Sequence, residues 1–381
     1  MIIQEAVDDA RHRYFSCHDP LPRAANVDIF TLLRHGEGKG GCTRVLIVKD
    51  VPPLKVTRRA VLGGMAASAV VRPAFAQDEI RFTHVFGEIV LKEPAKRVVS
   101  LGYTSHDTLL ALDVVPVATR YWFGDQPFGV WPWAKDKLGD AQPTLISGEV
   151  SMETVASLQP DLIVGIGSGI SQAEYSVLSQ IAPTLMQAPN QPVYGTPWNE
   201  LTRTLARAVG KDAQADALIA TTEAKFADVR ARHPDWAGQS AVAAYNFAGE
   251  TGGFTSHDTR GQFLAELGFQ PVPQIDQLGK GNFYAALSPE DLSALDADLL
   301  VWVSSFNSVP DLVALPMRKI LKAHREGREV FAGETIAAAL SFGSILSLPF
   351  ALAELEDGIA LALDGDPKTP VPSSVAAGIA P

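Results

Sequence analysis

From residue 97 onward, short apolar runs alternate with stretches whose apolar positions recur every three or four residues. Val98 and Val99 centre a β-branched run that predicts a strand over 97–101, and a helical stretch follows at 107–112. A second strand is expected at 114–119. A third is expected at 161–166, where Leu162-Ile163-Val164 is apolar on both faces and opens onto a Gly/Ser loop. Strands of this kind, separated by helices, predict a mainly parallel sheet with helices on both sides. The pattern recurs later, with a strand at 240–247, helices at 261–267 and 289–295, a strand at 298–303, a short strand at 330–332 and a helix at 346–363. The chain therefore reads as two α/β halves.

Residues 211–233, between the halves, contain neither Gly nor Pro. Alanines at 213, 217, 220, 224, 227 and 231 put small side chains on one helix face over roughly 27 Å. Such a stripe is expected to let the helix lie close against neighbouring structure. A helix joining the halves and an ordinary amphipathic helix within one domain both fit this segment. The tail, 366–381, is rich in Pro, Ser and Ala and reads as loose.

Ahead of this pattern, Arg58 and Arg59 stand directly before an uncharged apolar run, 60–71, which is followed by Arg72, Pro73 and Ala74-Phe75-Ala76. A basic region, a short apolar segment and a small-x-small end are the parts of a secretory signal peptide. The run would span about 18 Å as a helix, too short for a bilayer core of about 30 Å. Segment 57–76 resembles a twin-arginine signal with cleavage near Ala76-Gln77, the competing reading being a buried Ala-rich helix. No cysteine stands at the cut, which argues against a lipid anchor. Residues 1–56 show no sustained period and read as an upstream extension without a fold, or as a regulatory arm.

Charge and reactive side chains narrow the chemistry. The full chain carries 32 Lys and Arg against 43 Asp and Glu, a net charge of −11 that argues against a general nucleic-acid binder. Residues 77–381 hold 21 against 36, a net −15, and neither of the two cysteines, Cys17 and Cys42. No disulfide framework or thiolate zinc site can be built there. His84, His106, His233, His257 and His324 have no metal-ligand spacing. Gly165-Ile166-Gly167-Ser168-Gly169 lacks the spacing of a phosphate-cradling loop, and Ser168 and Ser171 have no evident His/Asp partners. No catalytic or metal-ligating residue is assigned.

Two segments, one in each half, look alike: "SMETVASLQPDLIV" at 151–164 and "SPEDLSALDADLLV" at 288–301. In each, a glutamate (Glu153, Glu290) opens a predicted short helix and an aspartate stands eight residues later, before an apolar strand. Glutamate in a first helical turn is favoured by about 0.3–1 kcal/mol, which by itself would account for both. Together with "KRVVSLGYTSHDTLLALDVVPVA", "YSVLSQIAPTL" and "ELTRTLARAVGKDAQADAL", these segments resemble the periplasmic substrate-binding proteins of iron-siderophore and vitamin B12 ABC transporters, the ferric-siderophore branch most of all. The resemblance covers about residues 95–365.

It implies an α/β fold of two Rossmann-like lobes, 77–210 and 234–365, joined by a long rigid interlobe helix at 211–233. It also implies a soluble, monomeric periplasmic receptor that holds a ferric siderophore between the lobes and delivers it to an ABC permease dimer. No cofactor and no catalytic step are expected, since the chelator itself fills the coordination sphere of the iron. By position, Glu153 and Glu290 would dock onto arginines of the permease.

The expected ligand presents oxygens within an apolar or aromatic shell. A guanidinium donates several hydrogen bonds to such oxygens, and aromatic walls supply contact area. Arg120 follows the strand at 114–119 and precedes Tyr121-Trp122-Phe123, while Arg260 stands just before the helix at 261–267. Both are where loops should leave strand ends, the ligand edge of an open α/β sheet. The resemblance puts a ligand arginine at about the second position, and a solvated surface arginine is the alternative for each. Tyr103, Trp122, Tyr245 and Trp302 stand at or just beyond strand ends and are the aromatics expected at the site. Trp131-Pro132-Trp133 reads equally as a lobe-stabilising corner. The arginines favour catecholate or carboxylate chelators, yet hydroxamate oxygens accept the same bonds. Ferric citrate, haem, a corrinoid, a bare metal ion and an enzyme on the same scaffold are the competing readings.

Overall fold

The computed structural model describes residues 79–304 and 309–381; the segments 1–56 and 57–76, with Arg58, Arg59 and Ala76, lie outside the described residues. A hairpin of β1 (Ile80–His84) and β2 (Gly87–Leu91) precedes the first sheet. That sheet is parallel throughout, in the order β5-β4-β3-β6-β7: β3 (Val98–Ser100), β4 (Ala118–Arg120), β5 (Thr144–Ile146), β6 (Leu162–Val164) and β7 (Thr184–Leu185). The second sheet runs β11-β9-β8-β12-β13, with β10 (Gln270–Pro271) also on β8. Its strands β8 (Ser240–Phe247), β12 (Leu299–Trp302) and β13 (Glu329–Phe331) are parallel, whereas β9 (Glu250–Phe254) and β11 (Tyr284–Leu287) extend it antiparallel. Each sheet is the centre of one lobe. Among the described residues, no helix is long and apolar enough to cross a membrane.

Alternation along the strands builds both cores. Val98, Leu162 and Val164 face Leu109 of α1 (Ser105–Ala111), while Val99, Ile163 and Ala118 face Val155 of α2 (Met152–Ser157). In the second lobe Ala243, Leu299 and Val301 form one core, and Val242, Ala244, Leu300 and Trp302 another. The two look-alike segments share one anchoring device, an aspartate that binds the backbone at the start of a neighbouring strand. The Asp161 carboxylate accepts the backbone N–H groups of Lys96 and Arg97 ahead of β3. Asp298 accepts the N–H and the hydroxyl of Ser240 at the start of β8, and these bonds help hold its pKa down at about 2.

Several expectations change. The strand at 114–119 begins only at Ala118, because Pro116 has no N–H to give to a ladder. The helix expected at 289–295 is a turn followed by one 3-10 turn at Ser293–Leu295, since the Asp291 carboxylate takes the Ser293 N–H for itself. The tail is packed: α8 (Pro372–Ala376) buries Ser374, and Val371 and Ile379 are buried beside it. Among the helices between these points are α3 (Trp198–Val209), α4 (Asp212–Arg232), α5 (Thr259–Glu266), α6 (Gly333–Phe342) and α7 (Ser347–Ala362).

The long helix α4 packs with Ala215 in the first lobe's core and with Ile219, Phe226 and Val229 in the second's. Its six-alanine stripe is on the exposed face, opposite to expectation. Burial selects the larger apolar side chains, and alanine on the solvent face serves helix propensity instead.

The second lobe also contains a buried ionic network. Arg318, 1% exposed, donates through Nη1 to Glu329 at 2.7 Å and to the Ile379 carbonyl at 2.8 Å. Glu329 also receives Trp302 Nε1 at 2.8 Å and lies 2.6 Å from His324 Nδ1. Removing one partner from such a network leaves a buried charge uncompensated, so Arg318→Ala should lower the unfolding free energy in urea by about 3–5 kcal/mol. A loss below about 1 kcal/mol, the scale of an exposed pair, would contradict this.

Candidate functional site

The loops that leave the C-terminal ends of the parallel strands meet between the lobes, the usual ligand edge of such sheets. After β3, the chain turns tightly at Gly102, where a Cβ would run into the Ile166 carbonyl oxygen. This turn sets Tyr103 against Trp122, their ring centroids 5.7 Å apart. From the second lobe come Tyr245 and Phe247 on β8, Glu250 on β9, Asp258 and Arg260 at the start of α5, Phe283, and Ser341 and Phe342 at the end of α6. Together they enclose two adjoining cavities of about 280 Å³ and about 390 Å³, with Trp122, Arg260, Phe283 and Ser341 common to both. The combined space suits a small-molecule ligand, for which sites of about 300–1,000 Å³ are usual. Its rim leaves aromatic rings uncovered: Tyr194 is 50% exposed and Phe247 49%. Exposed aromatic surface gathered in a concavity is characteristic of a binding site.

Arg260 lies over the Phe254 ring at 4.0 Å and is held by Asp258, whose oxygens accept from Nη1 at 2.8 and 2.9 Å. Asp258 also caps α5 through the Arg260 N–H, and Ser341 Oγ is 3.2 Å from Arg260 Nε. Tyr245 donates to Glu250 at 2.7 Å; burial first, and the carboxylate second, push its pKa far up, so it stays a hydroxyl.

Below the cleft the lobes meet in a largely buried aromatic layer. Trp131 and Trp133 stack at 5.5 Å, and Trp133 meets Phe342 at 5.4 Å and Phe350 at 5.6 Å across the interface. Within it, the fully buried Asp107 accepts from Trp133 Nε1 at 2.7 Å and from Ser344 Oγ, in the opposite lobe, at 2.6 Å. Its neighbour His106 is also buried, with Nε2 3.2 Å from the Gly129 carbonyl. That carbonyl can only accept, so Nε2 carries the proton. A second bond between the lobes runs from Trp198 Nε1 to Glu266 at 2.7 Å.

Of the residues singled out in the sequence, Tyr103, Trp122, Tyr245 and Arg260 line the cleft. Arg120 does not. It stands against the Tyr103 ring at 4.7 Å and donates to the Ser168 and Gly148 carbonyls at 3.3 and 3.2 Å. Trp302 is in the core at 1% exposure, because alternation along β12 sends it to the face of Leu300, and it is Val303 that reaches the cleft. Glu153 and Glu290 are exposed, the first in the first turn of α2 and the second in a turn before β12. Tyr194, Phe342, Asp258 and Glu250 also line the cleft, beyond the residues singled out in the sequence. Only Asp258 carried a local signal, as an N-cap two residues before an arginine. Among the described residues, no three or more His, Cys, Asp or Glu converge as a metal site.

Residues 98–334 match the family model described as periplasmic binding protein. The probable siderophore-binding lipoprotein YfiY of Bacillus subtilis is 28% identical over 216 residues, 54% of this chain but 63% of that protein, less than two thirds of its length. The ferric enterobactin-binding periplasmic protein FepB of Escherichia coli O6:H1 is 26% identical over 295 residues, 71% of this chain and 91% of that one. A periplasmic solute binding protein of Mycobacterium smegmatis has a structure that superposes with a TM-score of 0.67 at 32% identity, covering 75% of this chain and 99% of that one. The fold is shared with PiaA of Streptococcus pneumoniae in complex with ferrichrome, at a TM-score of 0.64 and 23% identity over 75% and 99% of the two chains.

The buried layer carries a pH signature. Burial lowers the pKa of His106, and of His84, below the ordinary 6.5, so the folded chain refuses protons that the unfolded chain takes up. Stability should therefore fall as the pH drops through 6.5 towards the depressed folded values. Asp107, raised above 3.8 by burial, acts in the opposite sense. Urea unfolding at a series of pH values should show the decline below 6.5 and a shallower one in His106→Gln. Identical slopes would contradict a neutral buried imidazole.

Proposed function

This chain belongs to the periplasmic binding protein family, and we propose that it captures a ferric siderophore in the cleft between its lobes and hands it to an ABC permease. The observation that carries the reading is the cleft itself: two lobes converge a ring of aromatic side chains and one arginine on a space of small-molecule size. Flat aromatic surfaces match the apolar shell of a chelate, and the Arg260 guanidinium can donate to its oxygens. Siderophore-binding names among the relatives support the same class of ligand.

Export through the segment 57–76 and a monomeric receptor in the periplasm complete the proposal. Glu153 and Glu290 are the proposed contacts with the permease dimer. Both are exposed, and their segments are anchored alike through Asp161 and Asp298. The two glutamates are thereby offered by corresponding parts of the two lobes.

Titration of the purified chain with ferric siderophores should quench the fluorescence of the tryptophans at and below the cleft, saturably and at submicromolar concentration. Ferric citrate, haem, cobalamin and free Fe(III) serve as comparison ligands. Arg260→Ala should weaken the chelate at least tenfold. Tight binding of a corrinoid or a bare metal with none of any siderophore would overturn the reading. Separately, the pair Glu153→Lys and Glu290→Lys should abolish uptake by cells while leaving the dissociation constant unchanged. Loss of ligand binding in that double variant would show the two residues to be misplaced.

A further inference from the structure

The charges that line the cleft discriminate among chelates. Among the described residues, its lining side chains include one cation, Arg260, and two carboxylates, Asp258 and Glu250. Asp258 already neutralises the guanidinium at 2.8 Å, with both groups nearly buried. Glu250 is bonded to the Tyr245 hydroxyl and has no ion-pair partner among the described residues. A second arginine, Arg120, is behind the Tyr103 ring with its Nη atoms on two backbone carbonyls. The lining side chains themselves thus sum to one negative charge, with the charge of Arg120 set behind the Tyr103 ring.

The aromatic walls act in the same direction. Trp122, Phe283 and Tyr245 line the space, and the face of an aromatic ring attracts cations and disfavours anions. Iron(III) takes six oxygens from three bidentate groups. Three hydroxamates bring one negative charge each and give a neutral complex, and a hydroxamate chain with a free ammonium gives a cation. Three catecholates bring two negative charges each and leave three in excess, and citrate-type chelates are also anionic. A trianion brought into this lining would meet the Glu250 carboxylate and, among the described lining residues, no cation without a carboxylate partner.

We propose that the cleft selects ferric chelates of zero or positive net charge, the tris-hydroxamate class, over tris-catecholates and citrate-type carboxylates. The proposal rests on the siderophore-receptor reading and goes beyond it by naming the class. Glu250 is its specificity-determining residue, placed at the rim to repel anions and to receive an ammonium group.

The test is a fluorescence titration of the full chain, at about 0.15 M salt, with ferrichrome, ferrioxamine B, ferric enterobactin and ferric citrate. Ferrichrome or ferrioxamine B should bind at least about 100-fold more tightly than either anionic chelate. Glu250→Gln should narrow that ratio by about tenfold, chiefly by improving the anionic ligands. Enterobactin or citrate complexes binding as tightly as the hydroxamates would overturn the charge selection and leave the receptor reading standing. A ratio unchanged in Glu250→Gln would remove Glu250 from the proposal's mechanism and overturn it in that form. Silence with all four chelates would overturn the receptor reading itself, and the class assignment with it.

Discussion

The bond from Ser344 to the buried carboxylate of Asp107 joins the two lobes at a point that water does not reach. A desolvated carboxylate costs several kcal/mol unless donors surround it. Here two donors, Trp133 from one lobe and Ser344 from the other, meet on Oδ2, while Oδ1 accepts no hydrogen bond among the described residues and burial raises the pKa of the group. Pulling the lobes apart at this level would strip the carboxylate of its Ser344 hydroxyl and break the edge-on contacts of Phe342 with the stacked rings of Trp131 and Trp133. Each aromatic pair adds about 0.5–1.5 kcal/mol beyond its buried area, so the layer opposes opening several times over. The cleft above it inherits a nearly fixed width.

That fixed floor explains how two separately built lobes present one site. Each lobe sets its strands by the same device, an aspartate ahead of one central strand that accepts N–H groups ahead of its neighbour. The strand ends then deliver their loops to a common edge. Helix α4 belongs to both cores at once, with Ala215 in one and Phe226 in the other, so it couples the lobes along its length. Tyr103, backed by Arg120, and Trp122 form one wall; Tyr245, Phe283 and Arg260 form the other.

Much of this was legible in the sequence wherever burial is symmetric about a strand. Strands β6, β8 and β12 follow from unbroken apolar runs, and α7 from its period. The repeated segments around Glu153 and Glu290 pointed to two equivalent lobes. What sequence could not supply is direction. The alanine stripe of α4 has the right period but faces solvent, because period locates a face without saying which face is buried. Trp302 stands at a strand end as expected, but its side chain turns inward by the alternation of β12. Arg120 and Arg260 looked equivalent, yet one supports a ring from behind and the other is neutralised by Asp258. Asp107, on which the interface depends, is an acid in an apolar helix, and its partner is 237 residues away.

The central claim is that the lobes are held at one separation and that the cleft is formed before ligand arrives. Small-angle X-ray scattering from the chain with and without a saturating ferric chelate tests it directly. The account expects the two scattering profiles to give nearly the same radius of gyration and maximum dimension. A large contraction on binding would show that the interface at Asp107 opens in the free protein, and would contradict the account.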